Sequence, residues 1–212
     1  FEPMRYEEVR RGVYDVHARI EDMNANGTLA SMNFASLPGF SREKFLQGQD
    51  KELMLALVQA YNDWHCDQWA GAYPGRFIAM GLLPLWSAER SLEEMNRLDR
   101  KGVRVICFPE NPVAFGLPSI HGDHWDELFK AIADRDMAVA IHIGTSGGVL
   151  YAPSLESPAD VQSTLINIKI VDAVADWAFS PLLRKFPSLR LAMSEGCMGW
   201  VPFLKERADA AY

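Results

Sequence analysis

The sequence is poor in cysteine and contains no apolar run long enough to cross a membrane. Its three cysteines, Cys66, Cys107 and Cys197, are widely spaced and form no CxxC pair. That pattern argues against a disulfide framework and a cysteine-rich zinc site, and it indicates a reducing compartment. No stretch approaches the roughly 20 apolar residues of a membrane span, and the charged first residues do not resemble a signal peptide. We therefore expect a cytoplasmic protein that does not enter a membrane.

Basic residues are too few and too scattered to form a nucleic-acid surface. The 212 residues carry 21 lysines and arginines against 28 acids, which gives a net charge of −7. Neither GxGxxG nor GxxxxGK[ST] occurs, so the sequence gives no support to a nucleotide-binding site. Hydrophobic residues make up 49% of the chain, enough for an ordinary packed core. The composition predicts one globular domain over residues 1–212 that acts on a small molecule and not on nucleic acid.

What the chain does contain is an alternation of helical and strand-like segments. Helical periodicity fills the intervals between five short apolar segments, at residues 28–35, 76–83, 103–108, 137–143 and 189–193. Several of these strands are apolar on both faces, which is typical of a parallel sheet covered by helices. The order predicts an α/β fold. Five strands suffice for a doubly wound sheet, whereas a (β/α)8 barrel needs eight, so the pattern alone leaves both architectures open.

Two polar residues occupy the ends of neighbouring predicted strands, where parallel α/β folds place their functional side chains. His142 interrupts an apolar strand just before the loop, and Glu195 follows the next strand. Adjacent strands lie about 4.8 Å apart, so an imidazole and a carboxylate there are able to bind one zinc or manganese ion. Such an ion lowers the pKa of bound water toward about 7. The competing interpretation of His142 is a core histidine with satisfied hydrogen bonds.

Four further polar residues follow or flank the strand at 103–108. Glu110 and Asn111 come directly after it, where they either contact a substrate or only shape the loop. His121 and His124 precede a helix, and they either face the substrate or remain solvent-exposed at the helix start.

Two aromatic residues near strand ends, Trp86 and Phe108, are candidate apolar walls of a substrate site, although Trp86 equally suits core packing. Residues 144–148, GTSGG, match the GxSxG pattern of a nucleophile elbow. We reject that interpretation, because the predicted strand leads into a loop instead of a helix and no histidine occurs downstream of Ser146.

Four segments of the sequence resemble, in order, the amidohydrolase-related family of metal-dependent barrel hydrolases. These segments are residues 61–86, 101–129, 140–147 and 189–209. The family also contains aminocarboxymuconate-semialdehyde decarboxylase. The resemblance extends from about residue 22 to residue 212. It implies a (β/α)8 TIM barrel with one divalent metal ion at the strand mouths, zinc in the first place and manganese or iron as alternatives.

The resemblance also implies roles for the two strand-end residues. His142 matches the metal-binding histidine at the end of barrel strand five, and Glu195 stands where many members carry a second histidine. Glu195 then binds the metal through oxygen, acts as a general base or contacts the substrate. Counterparts of the family's first and last metal-binding strands are not found, so we expect a partial barrel domain with strands two to six and without strands one, seven and eight.

The function implied by the resemblance is metal-dependent hydrolysis of a small organic acid, amide, ester or ring compound. Metal-activated water would attack the substrate, with Glu195, His121 and His124 in catalytic roles. Non-oxidative decarboxylation of an aromatic or muconate-type carboxylate is the first alternative. A ligand-binding barrel without catalysis is the second, because a glutamate replaces the expected histidine. Family members usually form homodimers or larger homo-oligomers, for which the apolar helix at residues 177–183 is one candidate interface; packing within the chain explains that helix equally well.

Overall fold

The computed structural model describes residues 4–35, 43–145, 154 and 156–211. In that part of the chain four parallel strands form one sheet: β1 Met80–Gly81, β2 Val105–Cys107, β3 Ala138–His142 and β4 Arg190–Ser194. The α-helices described there are α1 Val16–Ala25, α2 Glu43–Gln47, α3 Lys51–Asp63, α4 Ala88–Arg100, α5 Asp126–Asp134, α6 Ala159–Leu165, α7 Lys169–Phe179, α8 Leu182–Lys185 and α9 Val201–Ala211. A π-helical segment, Trp64–Ala70, continues α3. Short 3₁₀ turns occupy Tyr6–Glu8, Arg11–Val13, Pro112–Phe115 and Ile166–Ile168.

Helix ends follow the capping residues that the sequence places there. The Asp50 side chain accepts a hydrogen bond from the Leu53 amide at 3.0 Å and begins α3. Ser87 accepts from the Arg90 amide at 3.2 Å and begins α4. Beyond α4 the chain turns at Gly102, whose φ of +82° favours glycine. Each of these boundaries is set by residues close together in the sequence, as is general for helix capping.

The strands lie side by side in chain order, β1-β2-β3-β4, and every pairing is parallel. Cys107 of β2 is opposite Ala140 of β3, and His142 at the end of β3 is opposite Ser194 at the end of β4. Each parallel connection therefore crosses from one strand to its immediate neighbour. The ends of β3 and β4 meet at the same edge of the sheet.

Four helices that connect these strands, α4, α5, α7 and α8, pack on one face of the sheet. One core cluster joins the outward residues of the strands to α4, α5, α7 and α8; its fully buried members include Ile106, Val139, Ile141, Leu98, Phe129 and Trp177. A doubly wound sheet reverses its strand order and carries helices on both faces. Sequential strands with these helices on one face are instead the winding of a barrel. The structure thus resolves the open choice of architecture in favour of a partial (β/α) barrel.

The opposite, inner face carries small and medium side chains. Cys107 and Ala140 form a second core cluster there with Phe45 of α2 and Val58 of α3. Alternate residues of a strand share a face, so His142, two positions after Ala140, also belongs to this inner face. The fold therefore presents His142 at the inner mouth of the sheet.

The first two predicted strands are shorter than expected. Only one parallel bridge, between Ser31 and Phe77, and the two residues of β1 are formed. Beyond the bridge, Leu82 forms hydrogen bonds with the side chain of Asn62 in α3. The Leu82 amide donates to Asn62 Oδ1, and the Leu82 carbonyl accepts from Asn62 Nδ2, both at 2.9 Å. A helix side chain thus occupies the strand edge, which local sequence patterns do not reveal. The first α-helix begins at Val16, after the two 3₁₀ turns at Tyr6–Glu8 and Arg11–Val13.

The segment at residues 177–183 spans two helices, because α7 ends at Phe179 and α8 begins at Leu182. Trp177 and Leu182 are both fully buried in the core beside the sheet. Packing within the chain therefore accounts for these two side chains, which are not available to an interface, whereas Phe179 of the same segment is 46% exposed. Within the described ranges, no helix combines the length and apolar character needed to cross a bilayer.

Candidate functional site

His142 stands at the mouth of β3 with only 5% of its surface exposed. Its Nδ1 lies 2.8 Å from the carbonyl oxygen of Ile143. A carbonyl oxygen only accepts hydrogen bonds, so Nδ1 carries a proton in this contact and Nε2 is the ring nitrogen that is able to bind a metal ion. The Phe34 ring packs against the imidazole at a centroid distance of 4.7 Å. This arrangement holds the ring in one orientation, as is usual for histidines that bind metal through Nε2.

Glu195 follows β4 in a turn with unusual backbone geometry. Its φ is +61° and that of Cys197 is +53°, both in the left-handed region that residues with side chains seldom adopt. Gly196 lies between them, and a Cβ there would come within 2.4 Å of the Ile170 side chain. The Gly196 carbonyl also accepts a 2.6 Å bond from Trp200 Nε1. Close packing and hydrogen bonding therefore hold a strained turn that positions Glu195.

The two predicted metal ligands come together in the structure. Glu195 Oε1 lies 3.3 Å from His142 Nε2. With the proton on Nδ1, two acceptor atoms face each other, an arrangement that favours a cation between them. Ligand atoms about 2.0–2.2 Å from a tetrahedral zinc ion lie about 3.4 Å apart. The observed separation therefore fits a shared divalent ion as well as a shared proton.

These two residues form only part of a metal shell. Among the described residues, no group of three or more histidine, cysteine, aspartate or glutamate side chains is arranged to hold a metal ion. Catalytic zinc sites commonly use three protein ligands and an open position. The pair at β3 and β4 therefore supplies two donors, and the other positions need water or residues beyond those described.

Thr145, to which the sequence pattern assigned no role, stabilises this site through hydrogen bonds to the backbone. It is fully buried, and its hydroxyl donates to the His142 carbonyl at 2.7 Å. The same oxygen accepts the Glu110 amide at 2.9 Å. One hydroxyl thus joins the mouths of β2 and β3. The sequence feature by which Thr145 could have been found is its spacing. It follows the strand-end histidine by three residues, which brings its hydroxyl within reach of the His142 carbonyl. The neighbouring Ser146 and Gly148 of the GxSxG pattern lie outside the described residues.

Glu110 and Asn111 lie beside a cleft that is separate from the His142–Glu195 pair. Both line a cleft of about 450 Å³ together with Asp172 and Asp176 of α7, and neither His142 nor Glu195 lines it. Asn111 also caps the 3₁₀ turn that follows, accepting from the Val113 amide at 3.0 Å. Glu110 is buried, and its carbonyl accepts a 2.8 Å bond from Trp177 Nε1. Both residues thus have structural contacts, while their contact with substrate stays a prediction.

His121 and His124 are not brought to the His142 site. His121 is exposed, and its Nε2 lies 2.7 Å from Asp176 Oδ1 on α7. His124 is exposed as well, with its ring packed edge-on against Trp125 at 4.6 Å. No contact within the described part of the chain joins either histidine to His142 or Glu195. The expected catalytic grouping is therefore not found, because the loop after β2 carries both histidines to the outer helices.

The two predicted aromatic walls have separate positions. Phe108 is fully buried on the helix-covered face, between Trp125, Phe129 and Trp177 at centroid distances of 5.3, 5.2 and 5.7 Å. The prediction that it lines the substrate site is wrong, because alternation places it on the face opposite to Cys107. Trp86 is half-buried against the inner cluster, with Lys51 Nζ 5.4 Å from its ring. Among the described residues, the aromatic ring that packs against His142 is that of Phe34.

Sequence comparison assigns the chain to a family. The family model for amidohydrolases matches residues 14–212. No curated protein matches the sequence.

Several solved structures share the fold. An amidohydrolase of Mycobacterium avium subsp. paratuberculosis K-10 is 21% identical, with a TM-score of 0.73 over 96% of this chain and 55% of that one. The 5-carboxyvanillate decarboxylase of Novosphingobium aromaticivorans DSM 12444, solved with manganese and 4-hydroxy-3-methoxy-5-nitrobenzoic acid, is also 21% identical, with a TM-score of 0.66 over 91% and 53%. A 2,6-dihydroxybenzoate decarboxylase from Rhizobium is 15% identical, with a TM-score of 0.59 over 89% and 58%. The chain thus spans about half the length of the structures it matches.

Proposed function

Because the chain belongs to the amidohydrolase family, we propose that it forms part of a metal-dependent enzyme whose reactive centre is the His142–Glu195 pair. The observation that carries the proposal is the 3.3 Å approach of His142 Nε2 to Glu195 Oε1. Nδ1 of the same ring is engaged by a backbone carbonyl. This combination prepares Nε2 and the carboxylate to share one cation.

His142 and Glu195 would hold the divalent ion, which we propose to be zinc, with manganese or iron as alternatives. When bound, such an ion polarises a carbonyl group and lowers the pKa of water toward about 7. His142 contributes a fixed nitrogen donor, since β3, Thr145 and Phe34 hold it in place. Glu195 is far more exposed than His142, with 69% of its side chain accessible against 7%. This exposure supports our proposal that Glu195 contacts the substrate and accepts a proton.

Hydrolysis of a small organic acid, amide, ester or ring compound is the reaction we propose first. Non-oxidative decarboxylation is the second candidate, and what favours it is the presence of two aromatic-acid decarboxylases among the structures of the same fold. In decarboxylation the carbon–carbon bond to the carboxylate breaks and a proton replaces carbon dioxide. Product analysis in ¹⁸O-labelled water separates the two reactions. Label in the organic product supports hydrolysis. Release of carbon dioxide together with an organic product that contains no label supports decarboxylation.

Metal analysis tests the proposed centre directly. We expect the full-length protein to retain a divalent metal ion after gel filtration, and the variants His142→Ala and Glu195→Gln to lose most of it. His124→Ala is the matched control, because His124 is an exposed histidine away from the pair. Metal retained equally by His142→Ala would contradict the proposal. A protein without metal that still binds small molecules would support the ligand-binding alternative.

The proposal also includes the domain organisation, the cellular compartment and the subunit number. We take residues 1–212 as one partial barrel domain of a cytoplasmic enzyme that forms a homodimer or larger homo-oligomer and acts on a small molecule. Light scattering coupled to gel filtration tests the subunit number. A monomeric mass would refute that part while leaving the metal centre untouched.

A further inference from the structure

A second cavity, separate from the metal pair, lies between α1 and the helix formed by α3 and its π-helical continuation. We call it the α1–α3 cavity; its volume is about 400 Å³. Its aromatic walls are Phe34, Tyr61, Trp64 and Trp69, and its polar lining includes Arg19 and His65. This volume lies within the range of small-molecule sites, which are mostly apolar with a few placed polar groups.

Two polar atoms of the lining are buried without partners. Arg19 Nε and His65 Nε2 have no hydrogen-bond partner among the described residues, and both atoms are shielded from solvent. His65 as a whole is only 2% exposed. Native proteins pair nearly all such groups, so each exception calls for a ligand or an ordered water.

Arg19 has a nearby carboxylate, that of Asp22 on the same helix. The hydrogen bond from Arg10 lowers the pKa of Asp22, and the charges of Arg10 and Arg19 add to that effect. Both side-chain oxygens of Asp22 accept hydrogen bonds from Arg10, and none from Arg19 is found among the described residues. Of the residues that line the α1–α3 cavity within the described chain, none is acidic. A guanidinium in such surroundings is suited to an anionic group of a ligand, which it binds with charge-assisted hydrogen bonds.

The other titratable groups of the cavity are uncharged at neutral pH. Burial lowers the pKa of His65 to about 4, and burial raises the pKa of Tyr61 to about 12. Their rings lie nearly parallel, with a 7° angle and 5.8 Å between centroids. Arg19 therefore carries the charge, while the remaining walls offer flat, neutral surfaces that favour a ring.

The π-helical geometry contributes to this arrangement. Residues 64–70 carry Trp64, His65 and Trp69, which all line the cavity. Segments of this kind are rare and occur frequently at functional sites.

From these observations we infer that the α1–α3 cavity is a second binding site, for a small planar aromatic molecule that carries one negative group. The negative group binds Arg19, the ring lies among the aromatic walls, and His65 Nε2 bonds to a polar atom of the ligand. The site is distinct from the proposed metal centre, since neither His142 nor Glu195 lines it. Phe34 lines this cavity and also contacts His142, so it joins the two sites.

Calorimetric titration with benzoate tests this inference, because benzoate combines one ring with one carboxylate. Benzamide keeps the ring without the charge, and acetate keeps the charge without the ring. We expect benzoate to bind and both analogues to bind at least about tenfold more weakly, in line with a charged hydrogen bond and a buried ring. Quenching of tryptophan fluorescence should accompany binding, since Trp64 and Trp69 line the cavity.

Variants assign the binding to this cavity. Arg19→Met should weaken benzoate binding by about tenfold or more, and Arg19→Lys, which keeps the charge, should retain part of it. Arg100→Met is the matched control, because Arg100 is exposed at the end of α4 and does not line the cavity. Circular dichroism confirms that each variant is folded; if Arg19→Met is not, Arg19→Lys alone decides, with unchanged affinity counting against the inference.

Two results would overturn the inference. One is benzoate binding unchanged in Arg19→Met or absent at millimolar benzoate. The other is loss of benzoate binding in His142→Ala, which would place the ligand at the metal pair. Failure of the metal centre would leave benzoate binding intact, so the two proposals fail separately.

Discussion

The hydroxyl of Thr145 makes a quantitative prediction about the site. Replacing Thr145 by valine keeps the shape of the side chain and removes one oxygen. That oxygen accepts from the Glu110 amide at 2.9 Å and donates to the His142 carbonyl at 2.7 Å, in a fully buried position. The variant therefore removes two hydrogen bonds without creating a cavity; one links the mouths of β2 and β3, and the other lies within the end of β3.

The magnitude follows from what each group loses. The His142 carbonyl keeps a second donor, the Thr145 amide at 3.3 Å, so losing the hydroxyl there costs about 0.5–1.5 kcal/mol. The buried Glu110 amide loses this acceptor, which costs about 1–3 kcal/mol. We expect Thr145→Val to lower the free energy of unfolding by about 3 kcal/mol.

Urea unfolding followed by circular dichroism measures the change. With a slope of about 2 kcal/mol per M, the midpoint should fall by about 1.5 M. Thr164→Val is the control, because the Thr164 hydroxyl donates to the Asp160 carbonyl on an exposed part of α6. Its loss should stay within about 0.5 kcal/mol. If the two variants lose equal stability, the hydroxyl of Thr145 does not support the site as argued.

Three further predictions concern buried groups outside the metal pair. Asn62→Leu should destabilise the protein by about 3–5 kcal/mol in urea unfolding, because the Leu82 amide and carbonyl lose their bonds to Asn62; a loss below about 1 kcal/mol would refute the role of Asn62 at the strand edge. Burial lowers the pKa of His65 from 6.5 to about 4, so the unfolded chain binds a proton that the folded chain does not. Stability should be complete above pH 6.5 and fall by up to about 3 kcal/mol as the pH drops to 4. His65→Phe should flatten that part of the pH profile, and an identical slope in both proteins would contradict the shift. Phe108→Ala should lower the free energy of unfolding by about 3–5 kcal/mol, because it leaves a cavity in the core. Phe108→Leu should retain metal binding. Loss of metal in a folded Phe108→Leu protein would indicate that Phe108 does contribute to the metal site.

Much of the fold was predictable because its signals are local. The helix caps at Asp50 and Ser87 bond to amides only three residues further along the chain, so the local sequence is sufficient to form them. The apolar runs of β2, β3 and β4 contain enough β-favouring residues to be recognised without their partners. The edge near Leu82 was not predictable, because the group that pairs with it comes from α3.

The candidate site divides in the same way. His142 was identifiable as a polar residue at a strand end, and Glu195 as its counterpart on the next strand. Phe108 was misplaced, since a strand that is apolar on both faces does not indicate which face the helices cover. Thr145 and Phe34 were assigned no role, because their importance lies in contacts with His142 that the linear order does not display.

The amino-acid sequence by itself determined the alternation of strands and helices, the family and the chemical types at the strand mouths, because these depend on composition and short-range pattern. Only the tertiary structure decided that His142 and Glu195 approach within 3.3 Å, and that Arg19 and His65 share a cavity. The reason is physical. Such approaches depend on strand register, on one strained turn and on helix packing, each of which is set by contacts between residues distant in the chain.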